Sequence, residues 1–231
     1  MYVRAFRVDE LESRRLLAIG DFVQAFDDSS TNFQAESEFG YSVATDGNWI
    51  AVGAPGDDLQ GAPNVGRVHI YDRTSGNLVR TISNPTIATG DGFGRSVAIS
   101  GDTLVVGCYL DDLSGTDSGT VYLFNASTGA LITTIANPTP TAFDYFGYSV
   151  AVSGARIVVG AYLDDAQGED AGVAYVFDAG TGALQRTLTS ATAAAFDYFG
   201  AAVAISGDNV AVGVSRGDVG ALDAGEVQIF N

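Results

Sequence analysis

The residues best placed to meet a ligand are carboxylates in two matching stretches. Asp111-Asp112-Leu113-Ser114-Gly115-Thr116-Asp117 and Asp164-Asp165-Ala166-Gln167-Gly168-Glu169-Asp170 each open on an acidic pair and come back to an Asp past a Gly. Asp57-Asp58 and the pair Asp218 and Asp223 hold related places elsewhere. Hard oxygen ligands of this kind suit Ca2+, although the spacing matches no standard calcium loop. The plainer reading is that the Asp side chains cap turns through their own backbone. Asp91, Asp144 and Asp197 form a second set, and Phe143, Tyr145, Phe196 and Tyr198 flank the latter two. Aromatic rings beside polar groups suit a sugar ring, and equally suit capping a core.

Catalysis finds little support. His69 is the single histidine and aligns with Tyr122, Tyr175 and Gln228, a strand position. No nucleophile elbow or zinc-binding helix pattern occurs. A glycosidase needs one special acid pair, whereas these pairs recur copy after copy. Arg216-Gly217-Asp218 spells a short adhesive tripeptide, a pattern that arises readily by chance.

A repeat positions these groups. Phe39-Gly40, Phe93-Gly94, Phe146-Gly147 and Phe199-Gly200 are 54, 53 and 53 residues apart. An apolar run follows each, then a Gly at 47, 101, 154 or 207, which is the pattern of a type II′ hairpin. The returning strands are read as 50–54, 104–108, 157–161 and 210–214. The acidic loop comes next, and then a third strand alternating with period two, as in Val121 and Leu123 or Ala174 and Val176. Turns with an Asx start and a Gly end, such as 125–129, lead to fourth strands at 78–82, 131–135 and 184–188.

Four antiparallel strands per unit predict an all-β fold, a β-propeller of four four-stranded blades, with an irregular sandwich as competitor. The acidic loops then share one rim with the loops preceding each Phe-Gly. Gly20 to Phe26 matches the fourth-strand pattern of Gly129 to Ile135, so an N-terminal strand is expected to complete the last blade and close the ring. The alternative is half of a larger ring, completed by a second chain.

Composition narrows the partners. The chain has 11 Lys and Arg against 28 Asp and Glu, a formal net charge of −17, and four of its Arg lie before residue 16. A nucleic-acid ligand is thereby disfavoured. No apolar run is long enough for membrane insertion as a helix. Cys108 is the only cysteine, so no intrachain disulfide forms; its place among Ala54, Ala161 and Val214 reads as a buried small residue.

Phe-Gly-Tyr-Ser-Val-Ala, then Ser-Gly-Asp-Thr-Leu-Val-Val-Gly and an Asp-Asp loop, resembles the bacterial FG-GAP repeat, related to the propeller of integrin α-subunits. The resemblance covers about residues 20–231 and implies a propeller in extracytoplasmic proteins with adhesive or ligand-binding roles. Integrin-type copies carry a calcium loop between their first and second strands; here only a short hairpin stands there, so that site is expected to be absent. Residues 1–19, with Glu10-Leu11-Glu12-Ser13-Arg14-Arg15-Leu16-Leu17-Ala18, are similar to a short motif of large secreted bacterial proteins and read as an export or processing segment, or else a helix packed on the ring. The function expected is a non-catalytic extracellular or cell-surface module binding a protein or polysaccharide through its acidic face, as a monomer or ring-completing homodimer. The alternatives are a purely structural module and, behind it, a polysaccharide-acting enzyme.

Overall fold

In an isolated sheet, apolar residues on both alternating faces of a strand would leave one face in water, so such sheets must stack. The computed structural model, which describes residues 24–26, 36–218 and 220–231, contains four sheets that do this. The first has β1 (Ser42–Asp46), β2 (Trp49–Ala54), β3 (Arg67–Asp72) and β4 (Leu78–Ser83). The second has β5 (Ser96–Ser100), β6 (Thr103–Cys108), β7 (Thr120–Asn125) and β8 (Leu131–Ala136). The third has β9 (Ser149–Ser153), β10 (Arg156–Ala161), β11 (Val173–Asp178) and β12 (Leu184–Leu188). The last has β13 (Phe199–Ser206), β14 (Asn209–Val214) and β15 (Glu226–Phe230), three strands among the described residues. Strands pair antiparallel with their sequence neighbours, and the expected hairpins are present: Ser100 pairs with Thr103 across Gly101, whose φ is +57°. Among the described residues no helix is long and apolar enough to cross a membrane.

The stacking uses both faces of each middle strand. Tyr122 and Phe124 of β7 lie in one apolar cluster with Val68 and Ile70 of the first sheet. Val121 and Leu123, on the opposite face of β7, lie in the next cluster with Tyr175 and Phe177 of the third. The repeated Phe fills each joint: Phe93, Phe146 and Phe199 are fully buried and stand edge-on or tilted to Phe124, Phe177 and Phe230.

The innermost strands pack in the order β1 on β5, β5 on β9 and β9 on β13. This is a blade arrangement, but among the described residues β13 and β1 share no comparable packing, so there the four sheets form an arc that does not close on itself. The closing strand expected at 20–26 falls mostly outside the described residues, as does the 1–19 segment.

One contact sets the spacing of the sheets. A Cβ on Gly53, Gly107 or Gly160 would lie 2.1, 2.0 or 2.0 Å from the carbonyl oxygen of Gly94, Gly147 or Gly200 in the following repeat. The same three carbonyls accept from Ser42, Ser96 and Ser149 Oγ, each at 2.7 Å. Backbone thus touches backbone, which only glycine permits. Gly107→Ala is expected to lower stability by about 3 kcal/mol through overpacking, and Ser96→Ala by about 1 kcal/mol through the lost hydrogen bond; urea unfolding measures both.

Candidate functional site

Each acidic pair divides into a buried and an exposed member. The first Asp is inside: Asp57, Asp111 and Asp164 are all buried. Asp111 accepts hydrogen bonds from Leu113 N at 2.8 Å, Thr120 Oγ1 at 3.1 Å, Tyr122 Oη at 2.8 Å and Thr86 Oγ1 at 3.1 Å. Asp164 repeats this with Ala166 N and Tyr175 Oη, both at 2.8 Å, and Thr139 Oγ1 at 3.4 Å. In the first repeat, Asp57 instead accepts from Arg67 at 3.2 Å, and His69 stands where the others have Tyr. In the fourth, Gly217 replaces the buried Asp and Gln228 replaces Tyr, bonding Ser190 at 2.9 Å.

The second Asp is exposed and locks its own loop. Asp58, Asp112, Asp165 and Asp218 accept from the backbone N–H of Asn64, Asp117, Asp170 and Asp223 at 3.0, 2.7, 2.8 and 2.8 Å. Each donor residue has φ between +50° and +54°, a left-handed turn that the carboxylate holds in place. Burial first, then the neighbouring Asp112 or Asp165, raises the Asp117 and Asp170 carboxyls above the usual range. Turn capping therefore accounts for one oxygen of each exposed member. Asp218 is also the end of Arg216-Gly217-Asp218, whose Gly217 is buried and whose Arg216 lies over the Tyr198 ring at 4.7 Å.

The loops before each Phe-Gly join this face by backbone bonds to the acidic loop of the preceding repeat: Phe93 N to Val65 O at 3.0 Å, Phe143 N to Thr116 O and Phe196 N to Glu169 O at 2.8 Å. Asp91, Asp144 and Asp197 are buried in them. Asn84 and Asn137 donate to Asp91 and Asp144 at 2.7 Å. These Asn-Pro-Thr segments were a missed signal: Asn84-Pro85-Thr86 recurs at Asn137-Pro138-Thr139, and its Thr bonds the Tyr hydroxyl at 2.7 Å in both copies. Asp91, Asp111 and Cys108 approach within 4.8 Å of one another. The third repeat keeps both carboxylates with Ala161 in place of the sulfur, so the network does not depend on it. Burial, followed by the charges of Asp111 and Asp91, raises the Cys108 thiol well above its ordinary value.

Over these carboxylates runs a half-buried ribbon of aromatic rings and guanidinium groups. Arg95 lies 4.2 Å from the Tyr41 ring centre, 4.5 Å from that of Tyr148 and 5.5 Å from that of Tyr109. Tyr148 and Tyr162 are 4.3 Å apart, Tyr109 and Tyr145 5.4 Å, and Tyr162 and Tyr198 5.7 Å. Burial, helped by its Tyr neighbours, pushes the Tyr162 hydroxyl up to about 12, so it stays a donor at neutral pH. A cleft of about 540 Å³ opens beside Tyr41, Arg95 and Tyr109 and is flanked by Glu36 and Glu38. Tyr145 and Tyr198 were legible as site residues. Tyr41, Arg95 and Tyr148 were not singled out, although they directly follow Phe-Gly, nor were Tyr109 and Tyr162, which directly follow β6 and β10.

The backbone under the aromatics is strained. Phe143, Tyr145, Phe196 and Tyr198 have φ of +69°, +56°, +67° and +60°, where the second repeat has Gly90 and Gly92. Bulky side chains rarely adopt that region. Phe143 and Phe196 are nevertheless 51% and 42% exposed.

A family model described as FG-GAP repeat matches residues 30–71, 80–124, 137–177 and 183–230. No curated protein matches. Among solved structures, the crystal structure of the computationally designed Ika8 protein is similar at 19% identity and a TM-score of 0.48, over 82% of this chain and 45% of that one. The chain thus spans less than half the length of that protein.

Burial, and next the charge of Asp111, pushes the Asp91 carboxyl up to about 6. Because the folded value lies above the unfolded one, its contribution is full below about pH 4 and is lost as pH rises through about 6. Unfolding free energy should therefore fall by roughly 1 kcal/mol from this group between pH 5 and 8. Asp91→Asn should flatten that slope in denaturant titrations run across the range.

Proposed function

We propose that this chain, which belongs to the FG-GAP repeat family, is a non-catalytic binding module whose ligand is a neutral polysaccharide lying along the loop face. The observation that carries this reading is the display of Phe143 and Phe196 on strained backbone. Each left-handed non-Gly residue costs about 1–2 kcal/mol, and burial does not return it, because both rings face solvent. Strain held at an exposed surface marks residues kept for contact with something else.

The surroundings favour a sugar chain over other ligands. Flat rings present apolar faces to the C–H side of a pyranose, and the Tyr hydroxyls and Arg95 beside them supply hydrogen bonds to its hydroxyls. The formal net charge of −17 opposes anionic polymers and nucleic acids. A ribbon crossing from Tyr41 in the first repeat to Tyr198 in the fourth suits an extended polymer better than a single small molecule. This reading requires no bound metal and places the module outside the cytoplasm or on the cell surface, in keeping with its family resemblance. The purely structural alternative is favoured by one observation, the engagement of Asp58, Asp112, Asp165 and Asp218 in their own loops.

Affinity electrophoresis and calorimetry against a panel of neutral and uronic polysaccharides test the proposal. A neutral member should bind, and Tyr148→Ala with Tyr162→Ala should weaken it about tenfold or more, with the fold retained by circular dichroism. Phe143→Gly with Phe196→Gly should weaken binding while raising stability by about 1 kcal/mol per site as the strain is released. If no polysaccharide binds, or the Tyr variants bind as well as the parent, the structural alternative stands.

A further inference from the structure

The two ends of the arc are the two halves of the joint that repeats inside it. At the last sheet, Val227 and Ile229 of β15 are each 65% exposed, whereas their counterparts Val68, Ile70, Val121 and Leu123 are fully buried by a following sheet. Gly213 takes the place of Gly53, Gly107 and Gly160, but among the described residues no carbonyl of another sheet meets it: the nearest atoms to an added Cβ are Ala202 Cβ at 3.5 Å and Ala202 O at 3.6 Å, on the neighbouring strand. Its φ lies outside the left-handed region, so nothing within the described chain calls for glycine there.

At the first sheet the complementary half is uncovered among the described residues. Gly40, the counterpart of the carbonyl-bearing Gly94, Gly147 and Gly200, has nothing within 4 Å of an added Cβ among the described residues. Val43 is 68% exposed where its counterpart Val97 is 9% exposed, and Phe39 is half-buried where Phe93, Phe146 and Phe199 are fully covered.

Residues 24–26 stand where the fourth strand of a preceding sheet would stand. Across the internal joints, Arg80 and Thr133 of β4 and β8 meet the turn glycines Gly129 and Gly182 of the following sheets. Gln24 meets Gly76 in the same way, and Phe26 lies 4.7 Å from the Tyr71 ring, as Ile82 shares a cluster with Phe124. The first sheet is thus prepared for a neighbour whose fourth strand is already supplied, and the last sheet has three strands among the described residues.

We propose that a second copy of this chain docks head to tail, its Gly40 carbonyl and Phe39 on the Gly213, Val227 and Ile229 face of the first, and that two such joints close an eight-sheet ring. The internal joints share one geometry, and with that geometry four sheets leave β1 and β13 apart. Closing the ring within one chain would distort every joint, whereas a second copy reuses them unchanged. Propellers run from about four to eight blades, and two copies reach the upper end of that range. The contact is heterologous, so its closure in two steps removes both open faces.

Sedimentation velocity and light scattering on the full chain from about 1 to 200 µM test the proposal. The expected species has twice the 23.9 kDa chain mass. Gly213→Val should weaken the dimer at least about a hundredfold while leaving the circular dichroism spectrum and cooperative unfolding intact, because the added Cβ meets only ordinary van der Waals contacts with Ala202 in its own chain. Ile229→Asp, on the same face, should act likewise should the valine variant fold poorly. A parent chain that stays monomeric at about 200 µM overturns the proposal, as does an open polymer, or a dimer that survives both substitutions.

Discussion

The approach of one backbone to another across each joint is the constraint on which the rest of the molecule depends. A carbonyl set about 2 Å from where a Cβ would stand leaves no room for any side chain, so the distance between sheets is fixed by atoms that cannot change rotamer. The Phe rings and the Val and Ile residues of the third strands then fill a gap whose width is already set. The Ser hydroxyls satisfy the same carbonyls, which would otherwise be buried without a partner. Sheet spacing fixes loop spacing in turn, because the acidic loops of the first three repeats are each bonded through backbone to the Phe-Gly loop of the next repeat.

Much of this was legible in the sequence because repetition separates pattern from accident. Strand positions, hairpins and Asx turns follow from period-two alternation and from Gly placed at fixed offsets, and they agree with the structure to within a residue or two. The joint itself was not legible. Gly53 and Gly47 look alike as letters, yet Gly47 turns a hairpin at positive φ and Gly53 admits a neighbouring carbonyl. Ring closure was also beyond the sequence, since it depends on the angle each joint accumulates and no local pattern records that angle.

The site shows the same limit. An Asp pair reads as one acidic feature, but its members point into different environments: Asp111 and Asp164 into hydroxyl-lined interiors, Asp112 and Asp165 back onto their own loops. In a strand, alternation tells which member goes inside; a loop carries no alternation to read. Tyr145 and Tyr198 stood out because they sit beside an Asp, whereas Tyr41, Tyr109, Tyr148 and Tyr162 come together only when successive repeats are laid side by side. A surface assembled from the same offset in consecutive copies is invisible to a scan for local motifs.

The left-handed positions that flank the middle residue of each Phe-Gly loop hold Glu36 and Glu38 in the first repeat, Gly90 and Gly92 in the second, Phe143 and Tyr145 in the third, and Phe196 and Tyr198 in the fourth. Backbone shape is common to all four while contents run from acidic to empty to aromatic. Each repeat therefore offers a pair of interchangeable sockets in a frame that does not register what fills them. Recognition can be rewritten one repeat at a time, and the scaffold would carry the new lettering without refolding.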